Sequence, residues 1–408
     1  MTLLARSLLY ATVLLIASQP ASIASAASGW IRHTIDAGSR GADGVRLGDV
    51  NRDGRTDIVT GWEEGGQIRI AFQPKQKHIR EPWPSIVIAH VAAPEDAVFA
   101  DLNGDGWLDV VSCCEGKERS VYFHLSPGDD RVTTGAEWTT QKVDATAGAT
   151  AWMFCEPFPD AREGYSPRLC VGSKHPNGRI AFLEHGDRDS WTLKPGRPAG
   201  WIMSLRRWDI DGDGHDDLLY SDRKGDSRGV GWLRSRPDSS GRAWHDFEIS
   251  DRMHEYMFLD VTRTEDGAPL IAAQTRNSGI LMYRPGSELT GRWSQQVVTI
   301  DPRTGTGKGV AIGDVDLDGE LDLVASCENA KNKIGVYWLE SAVRSTTDSD
   351  LSLQPFSPPL HDISGTESGV KFDRIELADL DGDGDLDVLT CEERDNLGVI
   401  WYENPVKQ

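Results

Sequence analysis

Five copies of a nine-residue acidic segment, D-x-[DN]-x-D-G-x-x-D, carry the clearest chemistry in this chain. They occupy residues 49–57, 101–109, 209–217, 314–322 and 379–387. Positions 1, 3, 5 and 9 offer carboxylate or amide oxygens and position 7 a backbone carbonyl, while Gly at position 6 allows the sharp turn; the sum is an oxygen cage for a hard cation. The first cage is Asp49, Asn51, Asp53, Asp57 and the Arg55 carbonyl; the second is Asp101, Asn103, Asp105, Asp109 and the Trp107 carbonyl. The third is Asp209, Asp211, Asp213, Asp217 and the carbonyl of His215; the fourth is Asp314, Asp316, Asp318, Asp322 and that of Glu320. Asp379, Asp381, Asp383 and Asp387 with the Asp385 carbonyl make the fifth. This irregular geometry suits Ca²⁺ better than Mg²⁺, so about five structural calcium sites are expected. An EF-hand would need a bidentate Glu at position 12, where this chain has Thr60, Ser112, Tyr220, Ala325 and Thr390.

The elements that hold these loops follow from their spacing. Successive loops start 52, 108, 105 and 65 residues apart. The two long gaps are each about twice the first, so each hides one degenerate unit. One lies near residues 156–168, where AWMFCEPF aligns with DAVFADLN; the other lies near 260–268, where MFLDVTRTEDGAPL keeps the strand and loses the ligands. A second ladder of Trp30, Trp83, Trp138, Trp191, Trp244, Trp293 and Phe356 gives the same count of seven. The long last interval is explained by a polar insert, Ser341 to Leu353. Within a unit the order is strand A (GVRLGDV), acidic loop, strand B (DIVTGW), turn, strand C (QIRIAFQ), then strand D at the aromatic marker. Four short strands repeated at about 50 residues, with no sustained helical period, predict an all-β, seven-bladed β-propeller of four-stranded blades.

The phase of the repeat predicts how the ring closes. A strand D (Trp30 to Ile35) precedes the first A, and the chain stops after a strand C, GVIWYENP. The N-terminal strand is therefore expected to complete the seventh blade, which leaves no orphan edge.

Composition limits the setting. Residues 1–26 have the form of a cleaved secretory signal: Arg6, an apolar run from Leu8 to Ile16, then Ala24-Ser25-Ala26. The run is too short to span a bilayer and nothing later is apolar enough. A secreted, periplasmic or cell-surface protein is expected, with residues 27–408 forming the propeller. The net charge of −21 is mostly metal-loop aspartate, and no basic stripe offers counterion release; nucleic acid and membrane insertion are disfavoured.

The acidic loops, each joining strands A and B, resemble the FG-GAP and VCBS repeats of integrin-like β-propellers. The resemblance covers residues 30 to 404 and implies that the loop aspartates bind Ca²⁺ and stabilise the ring. Units three and five depart from the pattern, so Glu156 and Asp260 are not expected to be ligands.

On a propeller the B-to-C and D-to-A loops share the face opposite the acidic loops. Strand-B ends run Trp62-Glu63-Glu64, Cys114-Glu115, Lys174-His175, Arg223-Lys224, Arg276-Asn277, Cys327-Glu328-Asn329 and Cys391-Glu392-Glu393-Arg394. Acids from four blades thus face bases from blades three to five. His175, His254 and Tyr256 are candidate acid–base groups, with Lys174, Arg223 or Arg276 to neutralise a sugar carboxylate, as a uronate lyase or sugar dehydratase would require. The simpler expectation is that these charges form inter-blade ion pairs and that the protein is a binding or scaffold module for glycan or extracellular protein rather than an enzyme. Cys155 and Cys170 flank the degenerate third loop, where a disulfide could replace the missing metal; Cys113, Cys114, Cys327 and Cys391 are expected in the core.

Overall fold

A computed structural model describes residues 29–159, 166–186, 190–238, 241–343 and 355–407. The proposed signal segment, most of the Ser341–Leu353 insert and residues 160–165 of the third loop lie outside the described residues.

Seven four-stranded antiparallel sheets form the blades of a propeller. The inner A strands are Ala42–Gly48, Pro94–Ala100, Ala151–Phe158, Ile202–Trp208, Tyr256–Arg263, Thr306–Gly313 and the short Glu376–Ala378. Each B strand sits between A and C, and in blades one, two, four and seven all six of its residues are buried. Such strands are covered on both faces by neighbouring blades, which is why they are rich in Val, Ile and Leu rather than alternating. The apolar clusters accordingly straddle blade boundaries. Ile58 and Trp62 of blade one pack with Leu389 and Trp401 of blade seven, and Met153 and Phe154 of blade three with Met203 and Leu205 of blade four.

Closure follows the expected route. Ile31–Asp36 pairs antiparallel with Gly398–Glu403 and supplies the outer strand of blade seven. Ile35 is fully buried in the cluster shared by blades seven and one.

Trp30, Trp83, Trp138, Trp191, Trp244 and Trp293 stand at or within two residues of a D strand, or inside it. Three of them are pinned by the preceding loop, since the indole N–H groups of Trp83, Trp138 and Trp293 donate to the carbonyls of Ile79, Val132 and Leu289. Phe356 differs from its expected role. The D strand of blade six is Leu360–Asp362, and Phe356 instead bridges Val298 at the edge of blade five.

The disulfide that could staple the third hairpin is not formed: all six cysteines are free and buried. Cys155 lies opposite Val171 and Cys170 opposite Glu156. Successive strand residues point to opposite faces, so this register turns the two thiols away from each other.

Candidate metal loops and axial site

Each acidic loop is wound around its first aspartate. One carboxylate oxygen of Asp49, Asp101, Asp209, Asp314 and Asp379 accepts the N–H of the position-6 glycine at 2.9–3.1 Å. The position-5 carboxylate accepts the N–H of position 7 at 2.8–3.1 Å. The glycines Gly54, Gly106, Gly214, Gly319 and Gly384 all have positive φ, which a side chain would oppose.

The ninth residue has a task that spacing alone does not reveal. Asp57, Asp109, Asp217, Asp322 and Asp387 are fully buried, and each receives two backbone N–H groups. One comes from loop position 2: Val50, Leu102, Ile210, Val315 or Leu380. The other comes from the end of strand C or just past it: Gln73, Ser126, Ser235, Ser341 or Asn404. Burial pushes the carboxyls of Asp57, Asp109, Asp217 and Asp387 up to about 7 and that of Asp322 up to about 6, against the pull of these donors. A cation beside them would favour the ionised form.

The residues fit a cation. Carboxylate oxygens of Asp209, Asp211 and Asp213, of Asp314, Asp316 and Asp322, and of Asp379, Asp381 and Asp387 converge within 4.8 Å in each group. Asp314 Oδ1 and Asp385 Oδ1 are buried with no hydrogen-bond partner, which is costly unless something else satisfies them. In the first two loops the amide oxygens of Asn51 and Asn103 accept the backbone N–H groups of Asp53 and Asp105 at 3.0 Å, and their amide nitrogens donate to the carboxylates of the same two residues. Basic side chains also reach the loops. Arg234 contacts Asp211, Arg55 contacts Asp53, and Arg80 bonds Asp381 at 2.7 Å.

On the opposite face the segregated charges meet in pairs between neighbouring blades. Lys174 pairs with Glu115, Arg223 with Glu255 at 3.0 Å, Arg276 with Glu328 at 2.8 Å and Lys308 with Asp373 at 3.0 Å. Lys174, Arg223 and Lys224 also lie 4.5–4.9 Å from the ring centre of Trp201. The Tyr256 hydroxyl is engaged with that of Tyr283 at 2.8 Å, while His254 meets the Tyr256 ring edge-on at 6.0 Å. His175 is exposed. Among the described residues no hydrogen bond, ion pair or ring contact joins it to His254 or Arg276.

The propeller axis is crossed by ions that sequence reasoning did not single out. Arg46 of blade one holds Asp96 of blade two through two hydrogen bonds of 3.1 and 2.9 Å and reaches Glu156 of blade three at 3.3 Å. Arg206 of blade four lies 3.5 Å from Asp260 of blade five and 3.4 Å from Glu376 of blade seven. Burial works against the Glu376 charge, yet Arg206 and Arg374 outweigh it and hold this carboxyl down at about 2. Glu156 and Asp260, unassigned as ligands in the sequence, thus serve as axial counter-ions. Exchange of Arg206 for Met is expected to cost about 1–3 kcal/mol in urea denaturation, because it leaves the half-buried carboxylates of Asp260 and Glu376 short of a partner. A change below 1 kcal/mol would show the network to be dispensable.

A cavity of about 580 Å³ is lined by Arg46, Glu156, Arg206 and Glu376 together with Asp101 and Gly104–Gly106. It therefore lies on the acidic-loop side, whereas the sequence directs attention to the other face. Pro157, Pro159 and Pro167 border the cavity on the side of blade three.

Seven four-stranded blades, five of them with an acidic A-to-B loop, define the class, a β-propeller carrying FG-GAP-like repeats. The FG-GAP-like repeat family model matches residues 49–112. That span takes in the first loop, blade one and the second loop. No curated protein sequence matches the chain significantly. Among solved structures, the chain is similar to BBS1N in complex with ARL6DN, soaked with lead: 12% identity, TM-score 0.52, covering 93% of this chain and 98% of that one. The mercury-soaked form of the same complex aligns with 11% identity and a TM-score of 0.50 over the same shares of the two chains. At these identities the likeness concerns the fold alone. No helix among the described residues is long and apolar enough to cross a membrane.

Proposed function

We propose that this chain is an exported β-propeller, stabilised by calcium at its five acidic loops, that acts as a binding or scaffold module for a protein or glycan. The observation that carries this reading is the convergence of three carboxylates within 4.8 Å in three separate loops, each at the turn between strands A and B of its blade. Metal there braces the scaffold and leaves the rest of the surface for a ligand. A protein ligand is favoured by the similar propeller BBS1N, which is described in complex with ARL6DN. The alternative of a carbohydrate lyase would use His175, His254 and Tyr256. Arg223 and Arg276, its carboxylate-neutralising candidates, are each occupied by a glutamate of the next blade.

Calcium is tested by heat. An ion present at a hundred times its dissociation constant adds about 2.7 kcal/mol per site, so chelation is expected to lower the melting temperature strongly and added calcium to restore it. A melt indifferent to chelator would remove calcium from the proposal. Ligand class is tested with a panel of uronate polysaccharides, scored both for retention of the protein and for unsaturated product in the ultraviolet. Retention without product is the outcome expected of a glycan-binding module. Product that disappears in a His175→Ala variant would establish the lyase instead.

A further inference from the structure

We infer that Asp43, Glu63 and Glu95 form a further divalent-cation site, between blades one and two on the face opposite the acidic loops. One carboxylate oxygen from each lies within 4.8 Å of the others. None of the three belongs to a repeat loop, and their sequence spacing matches no ligand motif.

The backbone aims two of them. Every A strand in blades one to six carries a β-bulge near its start, seen as a shift of pairing with strand B. A bulge turns a side chain out of the regular pleat. At or beside the bulge stand Asp43, Glu95, Met153, Met203, Met257 and Lys308 in blade order. The three methionines pack together in one apolar cluster, so this end of the axis is apolar on one side and acidic on the other. Gly44, with φ +76°, lets the first strand make its bend.

An independent observation points to a ligand. Asp43 is only 6% exposed, and among the described residues it has no hydrogen-bond or ion-pair partner. Three lysines lie near, but each is committed elsewhere: Lys371 to Glu393, Lys308 to Asp373 and Lys174 to Glu115, the last with Glu95 no closer than 4.0 Å. A buried carboxylate left without a partner is expensive. Three carboxylates are a hard, all-oxygen donor set, which suits a divalent cation with water completing the shell. Burial, and for Asp43 the nearby Asp373, pushes the Asp43 and Glu95 carboxyls well up, and Glu63 is raised too. Bound metal would reverse that direction.

The test is a count of ions. The full chain and the variants Asp43→Asn and Glu63→Gln are dialysed to equilibrium against calcium, and separately against manganese, and bound metal per chain is measured by atomic emission. Each variant is expected to hold one ion fewer than the parent in at least one of the two metals. Glu63 is partly exposed at the end of a strand, so its variant keeps the test open if Asp43→Asn does not fold. A control, Asp213→Asn, changes an exposed member of the converging carboxylates in an acidic loop and should subtract from a separate site, so that Glu63→Gln and Asp213→Asn together lose two. Equal counts in the parent and a folded Glu63→Gln chain, with both metals, would overturn the site.

Discussion

A chain lacking Ile31–Asp36 is expected to lose on the order of 5 kcal/mol or more of stability and to associate through its exposed edge. Three losses combine. Ile35 is fully buried against Trp401 and Leu389, and truncating such a side chain alone costs about 2–5 kcal/mol. Asp36 holds Arg69 at 2.7 and 3.1 Å, with both side chains largely buried, so its removal strands a guanidinium. Finally Gly398–Glu403, buried along its whole length, would become a sheet edge with open N–H and C=O groups, a template for another chain. Urea denaturation with size-exclusion chromatography checks this. A truncated chain that stays monomeric with the parent midpoint would show that the ring does not depend on this strand. Ile35→Ala, which keeps the backbone pairing, should recover the monomer but not all of the stability.

Replacing Asp109 by Ala is expected to cost about 2–5 kcal/mol, because two buried N–H groups lose their acceptor at once. Its carboxylate receives Leu102 at 2.9 Å and Ser126 at 2.8 Å, tying the acidic loop to the end of strand C. This loss should persist when chelator is present. A residue acting only through metal would behave otherwise, since parent and variant would then melt together once calcium was withdrawn. Asp109→Asn should fall between the two, because its amide keeps one acceptor oxygen and sets an N–H against another donor. Parent and Asp109→Ala curves that coincide in chelator would refute the clamp.

The clamp also marks where sequence reasoning reaches and where it stops. Loop spacing locates the strands well: DIVTGW is read as strand B and Asp57–Trp62 is a strand. The closing strand is legible for the same reason, because a repeat that starts in one phase and ends in another leaves a single way to complete the ring. Facing is harder to read. Cys155 and Cys170 are close in sequence order around one hairpin, yet one step of register puts them on opposite faces. The acids Asp43 and Glu95 and the methionines opposite them are scattered about fifty residues apart. What gathers them is a bulge whose position no local composition announces. The charged strand-B ends were visible as residues, but their pairing across blades depends on side-chain reach. Phe356 follows the aromatic spacing and still misses its strand, since it bridges Val298 at the edge of blade five.

The contact between Arg206 and Glu376 has a further meaning for how such a ring stays the size it is. It joins blade four to blade seven rather than neighbour to neighbour, and Arg46 with Glu156 skips one blade in the same way. A chain that gained or lost a repeat unit would rotate other residues into those places, for instance Ala311 where Glu376 now stands, and leave a guanidinium at the axis without its carboxylate. Repeat arrays readily change copy number by duplication, and contacts between adjacent units barely register the change. A few spokes across the hub make seven the count at which Arg46 and Arg206 meet their carboxylates.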